Sequence, residues 1–313
     1  MQSLQTIKRR LRGVKSIGQI TKAMELVAAT KMRRSQAVAL ASRPYAYAAL
    51  EFLANVSRVS AGFIPPLLEK RPVKKTAIVM VASDKGLTGS FNSAVFRAFE
   101  KHFGSSVSEN SSVSCVAVGQ KAVSYLGKRI GMVEKGFTKF GDVTTVEEAR
   151  PLAEYLIDGY LTKEWDRVLV FYTNFRSALH QDVVIRELFP ITFEKLKETA
   201  EEIIPKHGKF AEEGYRPVFD EISGRSEKEY IIEPSPEDVL TRLVPHLVVM
   251  QVYHIILEAN ASEHAARRLA MKNASDNARD IADVLALEYN KSRQAGITRE
   301  LTEITAGAEV VNI

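Results

Sequence analysis

Ser235-Pro236-Glu237-Asp238-Val239-Leu240 is the stretch that decides the fold. Ser235 reads as a helix cap, Pro236 suits the first helical position, and Glu237 and Asp238 put acids in the first turn. Asp238 holds the capping-box position, where Glu or Gln is commoner. From this start Leu240, Leu243, Leu247, Met250 and Leu257 form a seam at helical spacing, which weakens and resumes at Ala278, Ile281, Leu285 and Tyr289. Pro245 lies inside the run and predicts a bend, at a cost of roughly 3 kcal/mol, but not an end. A helix from residue 236 to near 310 would be on the order of 110 Å long, at about 1.5 Å per residue, and could not be buried in its own domain. It needs a partner helix.

The other end of the chain supplies one. Residues 3 to about 58 contain no proline before Pro44 and are rich in good helix formers. Ile7, Leu11, Val14, Ile17, Ile20, Met24 and Val27 recur every three or four residues, the spacing of a single apolar seam. The two ends of the chain are therefore expected to pair as a coiled coil.

Between them the period changes. Thr76–Ala82, Val113–Val118 and Arg167–Tyr172 are short β-branched apolar runs, the mark of strands buried on both faces, and Val183–Phe189 is a candidate for one more. Helical stretches near 91–102, 119–129 and 145–161 alternate with them, which predicts a mainly parallel, Rossmann-like α/β domain. Residues 194–229 hold 17 charged residues punctuated by Pro and Gly, a solvated insertion whose start, Phe193–Ile204, suits a short helix. The expected division is 1–60 as the N-terminal coiled-coil helix, 71–230 as the α/β domain with the insertion 194–229, and 235–313 as the C-terminal coiled-coil helix.

Composition limits the function. At 313 residues and 45% hydrophobic content the chain can bury a full core. Its single cysteine, Cys115, provides no disulfide framework and fits a reducing compartment. The N-terminus lacks the uninterrupted apolar segment of a secretory signal, so the mature chain is expected to start here. Leu243–Leu257 is too short and too polar to span a bilayer, which makes any membrane association indirect. Net charge is +5, yet residues 1–43 carry ten Lys and Arg against Glu25 alone. Such a basic element could face nucleic acid, an anionic membrane or an acidic protein.

Chemistry is sparse. Ser83-Asp84-Lys85-Gly86-Leu87-Thr88-Gly89-Ser90 follows a strand and precedes a helix, as phosphate loops do, but lacks the GKS or GKT ending and the three-glycine dinucleotide pattern. It reads as a tight turn or a surface contact. Among six histidines only His246 and His254 are close in sequence, and two helical turns hold them roughly 12 Å apart, too far to share a metal. No GxSxG, CxxC or HExxH motif is present. The basic positions of the first helix are spread around it, and the first aromatic residue is Tyr45, so nucleic acid fits less well than an acidic protein surface. No catalytic residue, metal or cofactor is expected; a mechanical or binding role is.

Two terminal segments carry a resemblance. Ile20-Thr-Lys-Ala-Met-Glu-Leu-Val-Ala-Ala-Thr-Lys-Met-Arg-Arg-Ser-Gln36 and Ile297-Thr-Arg-Glu-Leu-Thr-Glu-Ile-Thr-Ala-Gly-Ala308 are similar to signatures of the gamma subunits of F-type ATP synthases. Gln251-Val-Tyr253, Ala261–Arg267, Ala270–Lys272, Tyr289–Lys291 and Ser83–Gly89 add to it, although Thr88 and Ser90 stand where the family usually has Cys and Gly. The resemblance implies an antiparallel coiled coil that turns inside a ring of alternating alpha and beta subunits. The α/β domain would rest on the epsilon subunit and the c-subunit ring, coupling proton flow to ATP synthesis without catalysing it. Such a protein is peripheral to a membrane, here expected on the cytoplasmic side of a bacterial one. By position, Met24 with Lys22 and Lys31 would lie near an acidic lever loop of a beta subunit. Arg267, Arg293, Gln294, Thr298 and Glu303 would form polar catches with the ring, and Ala306–Ile313 would turn within an apolar collar.

Overall fold

The computed structural model describes residues 3–41, 45, 48, 52, 56, 63–103, 113–129, 133–191 and 232–311. The insertion 194–229 and the helix expected over Phe193–Ile204 lie outside them. The elements are α1 (Leu4–Ala41), β1 (Thr76–Val81), α2 (Phe91–Phe103), β2 (Val113–Val118), α3 (Gln120–Arg129), β3 (Lys135–Phe137), α4 (Val146–Leu161), β4 (Arg167–Phe175), β5 (Gln181–Phe189) and α5 (Pro236–Val311). Residues 45, 48, 52 and 56 are helical as well. Two compact units result, Ala29–Ala266 and the paired terminal segments Met1–Ala28 and Arg267–Ile313.

Ala29–Ala266 is built on a five-stranded sheet in the order β3-β2-β1-β4-β5. Strands β1 to β4 are parallel to their neighbours, and β5 runs antiparallel along β4. In β1, Ala77, Val79 and Val81 enter one core with α4 and α5, whereas Ile78 and Met80 enter the other with α2 and α3. Burial on both faces is why these strands read as unbroken apolar runs. Helix α4 starts on a capping box between Thr145 and Glu148. Strand β3 was not expected; three residues, Lys135-Gly136-Phe137, are too few for a periodic signal.

Within this unit α5 is a core helix and not the one-sided seam that its sequence suggested. Leu240, Val244, Val248, Val249, Val252, Ile255, Ile256 and Ala259 are all buried, whereas the seam positions Leu243 and Met250 are only half-buried. Thr241, Arg242 and His246 remain exposed, but from Leu247 to Leu257 the helix is covered on every face, as a helix enclosed by its own domain should be. It continues through Pro245. By length and composition α5 contains a stretch that could cross a bilayer, and 61% of that stretch is buried inside this protein.

The segment entering β1 is latched to the end of α4. Arg71 pairs with Asp166 (Nε to Oδ1, 2.7 Å), donates from Nη2 to the carbonyls of Tyr160 (2.7 Å) and Trp165 (2.5 Å), and lies over the Tyr160 ring. Asp166 also accepts the backbone N–H groups of Lys74 and Lys75.

In the other unit the helix ends pair along small residues. Ile7, Thr21, Glu25 and Ala28 are buried on α1, with Leu11, Val14 and Gly18 half-buried between them; Met271, Ser275, Ala278, Ala282 and Leu285 are buried on α5. On both helices these positions alternate by four and three, the heptad of a coiled coil. The expected seam drifts off this period, so Ile17, Ile20, Val27 and Ile281, read as seam residues, are exposed. Gly18 lets the backbones approach: a Cβ there would touch the Ala278 Cβ at 3.4 Å, and Ser275 Oγ lies 3.5 Å from the Gly18 carbonyl oxygen.

Two outcomes follow for stability. The indole of Trp165, the single tryptophan, fills the space where a Gly159 Cβ would fall, 2.0 Å from its Cζ2. Gly159→Ala is expected to cost about 1–3 kcal/mol by overpacking and to shift Trp165 emission; denaturant titration followed by fluorescence reads both. Burial pushes the Asp166 carboxyl up, but the Lys74 and Lys75 N–H groups and Arg71 outweigh it and hold it below the usual range. A carboxyl more acidic when folded stabilises the protein above its unfolded pKa of about 3.9, and that gain is lost as pH falls through the folded value. Asp166→Asn is therefore expected to lose about 1–3 kcal/mol at neutral pH, a difference from the parent that closes under acid conditions in paired unfolding curves.

Candidate functional site

Exposed side chains of the paired helix ends form the first surface. Lys22 reaches back to Glu25 at the seam (Nζ to Oε2, 2.9 Å), and Met24 beside it is half-buried. Arg267 is also half-buried, whereas Arg293, Gln294, Thr298 and Glu303 are all exposed. Gln294 and Thr298, four apart, share a helix face. Residues 293–305 are exposed on every side, so this part of α5 has no covering helix among the described residues. The apolar-collar expectation for Ala306–Ile313 rests on side chains outside those described.

The sequence reading missed a second property of this surface. Ile17, Ile20, Val27, Val284, Leu287 and Leu301 are each more than half exposed. Single exposed apolar residues are ordinary, but a series of them along slim paired helices marks a surface that meets other protein. Testing the apolar positions against a strict heptad would have exposed the mismatch.

The second candidate, the turn after β1, is internally satisfied. Asp84 accepts from the Gln120 N–H at the start of α3 (2.8 Å) and from the Lys139 N–H (2.9 Å), placing its own carboxylate where a helix N-terminus could otherwise hold an anion. Asn92 accepts from the Ser83 N–H and donates to Ser83 Oγ and Thr88 Oγ1. Gly119, at φ +88°, allows a close crossing, since a Cβ there would lie 2.0 Å from the Ala82 carbonyl oxygen. In open α/β sheets of this order a ligand crevice lies beyond the carboxyl ends of β1 and β4. Here α5 meets the end of β4, where the Ser262 hydroxyl donates to the Thr173 carbonyl (3.1 Å) with both residues buried. These contacts agree with reading the turn as structural.

Other chemistry is quiet. No group of three or more His, Cys, Asp or Glu could hold a metal ion among the described residues. Burial, and secondarily Glu134, pushes the Cys115 thiol up to about 11, so it is not a thiolate at neutral pH.

The third feature is the loop before α4, which α1 and α5 both hold. Lys31 Nζ pairs with Asp142 Oδ2 at 2.6 Å, and Ser35 Oγ donates to the Asp142 carbonyl at 3.4 Å. From α5, Asn260 Nδ2 donates to the Gly141 carbonyl (3.2 Å) and to Thr144 Oγ1 (2.7 Å), and His264 Nε2 lies 3.0 Å from the Asp142 carbonyl oxygen. The hydrogen bond from Lys31 holds the Asp142 carboxyl below its usual range despite partial burial. Lys31, expected to face a partner, is thus also engaged within the chain. Thr145-x-x-Glu148 was the readable sign of this loop, because it fixes where α4 begins.

Comparison with known proteins is consistent across sequence and fold. A family model described as ATP synthase matches residues 3–311. The ATP synthase gamma chain of Trichlorobacter lovleyi is 38% identical over 311 residues, 99% of each chain, and that of Crocosphaera subtropica is 36% identical over 316 residues, 99% of this chain and 100% of the relative. Among solved structures, a chain of the Euglena gracilis mitochondrial ATP synthase, from an OSCP/F1/c-ring assembly in rotational state 3, superposes with a TM-score of 0.63. It is 21% identical, over 98% of this chain and 94% of that one, and so speaks for the fold alone. Matched nearly end to end by relatives well above 30% identity, the chain belongs to the family of ATP synthase gamma chains.

Proposed function

We propose that this chain is the central rotor shaft of a proton-translocating F-type ATP synthase, coupling proton flow through the c-subunit ring to ATP synthesis in a ring of alpha and beta subunits. It is a non-catalytic subunit, and its association with the membrane runs through the complex. Its partners are the alpha, beta and epsilon subunits and the c ring, and its place is the cytoplasmic face of a bacterial membrane, a reading supported by its bacterial relatives. The observation that carries the proposal is the heptad-paired helix ends with apolar side chains turned outward.

Those two features suit rotation. A turning shaft must be held sideways without being held in angle. Apolar side chains in an apolar sleeve exclude water without directional bonds, so no hydrogen bond has to break at each step. Lys22, Met24, Lys31, Arg267, Arg293, Gln294, Thr298 and Glu303 are the proposed contacts with the ring. Exposed charge pairs are worth roughly 0–1 kcal/mol each, enough to favour certain angles without locking any. In this reading residues 1–60 and 235–313 supply the shaft helices, with α5 up to Ala266 enclosed by the body, and 71–230, including the insertion 194–229, supplies the rest of the body that meets epsilon and the c ring.

Co-expression with matched alpha and beta subunits, followed by size exclusion and an ATPase assay, tests the proposal. A stoichiometric complex whose ATPase is well above that of alpha and beta alone is the expected result, with no activity in the isolated chain. Separate elution, with the partners equally active without it, would remove the rotor reading.

A further inference from the structure

Resting on the rotor reading, we propose that residues 260–264 of α5, with the loop Gly141–Thr145, form a torsional collar that passes twist between α5 and the sheet body. Asn260 and His264 are four residues apart and share one face of the helix; both bind the loop, Asn260 through the Gly141 carbonyl and Thr144 Oγ1, His264 through the Asp142 carbonyl. Ser262, two residues from each, points to the opposite side at 100° per residue and binds the carbonyl of Thr173 on β4. One turn of helix is therefore gripped from two opposite faces.

That arrangement differs from the packing around it. The contacts of residues 240–259 are mainly apolar and close-packed, and they hold the helix in the core through the fit of side chains. Hydrogen bonds are directional, and two sets acting on opposite sides of an axis form a couple that opposes turning. The loop does not yield easily in turn. The Gly141 N–H donates to Glu148 Oε2, which also accepts the Thr145 N–H in the capping box, so the loop is fastened to the first turn of α4. Ser35 and Lys31 of α1 bind the same Asp142, so both long helices lean on one residue of the body.

Asn260, Ser262 and His264 are positioning residues in this account; none need touch a partner. The test uses the whole membrane-bound complex and compares ATP hydrolysis with ATP-driven ion pumping, followed by a pH-sensitive dye in inverted vesicles. In the double variant Asn260→Leu with His264→Leu, pumping per ATP hydrolysed is expected to fall by about fivefold, within the range that coupling mutations produce, while hydrolysis is retained. Ser262→Ala is expected to lower the same ratio to a smaller degree, and His264→Gln, whose amide nitrogen reaches the place of Nε2 and keeps a donor for the Asp142 carbonyl, to leave it close to the parent. An unchanged ratio in both the double variant and Ser262→Ala, in a complex where the parent chain couples normally, overturns the collar and leaves the rotor standing. Hydrolysis and pumping falling in proportion, with less complex recovered, assigns these residues to stability alone and overturns it as well. If the parent chain fails to activate its partners, the rotor reading falls and the collar with it.

Discussion

Helix α5 has to find cover for apolar surface along 76 residues, and the rest of the molecule is arranged around how it does so. From Leu247 to Leu257 the helix is covered on every face, and the sheet, α4 and the described helical residues Phe52 and Val56 pack in the same core. Further on, the apolar content narrows to a heptad stripe, which a single partner helix can cover. Beyond residue 292 no described side chain covers it. Each stretch of sequence matches the amount of cover available to it, so the period of the apolar residues sets how the helix is packed.

Much of this was legible in the residues. Strands β1, β2 and β4 announced themselves because burial on both faces leaves no room for polar alternation, and the start of α5 was fixed by Ser235, whose hydroxyl accepts the Asp238 N–H at 3.1 Å. The seam was legible in kind but not in register. Ile17 and Ile20 look like core residues to any scale that scores hydrophobicity alone, yet the packed positions beside them are Gly18 and Thr21. Size won over hydrophobicity there, because close helices need small residues between them and the larger ones are displaced outward. Strand β3 was not readable, and at the Asp142 loop only its end at Thr145 was, since their other partners are distant in sequence.

The turn after β1 shows how the loop of a Rossmann-like sheet can be closed from within. The strand order supplies the usual crevice, but the parts that elsewhere receive a phosphate are engaged within the chain. Asp84 occupies the N-terminus of α3, and α5 is bonded across the end of β4 through Ser262. That agrees with membership of a family of non-catalytic subunits, whose demands are on rigidity and fit.

The small residues of the seam have a mechanical corollary. Two parallel rods joined side by side resist bending roughly as the square of the distance between their axes. By letting the backbones approach, Gly18, Ala28, Ser275, Ala278 and Ala282 make the pair slim and therefore also elastically compliant. The volume of a few seam side chains thus sets two properties together: the bore through which the pair can pass, and how much strain it can hold and return as it bends.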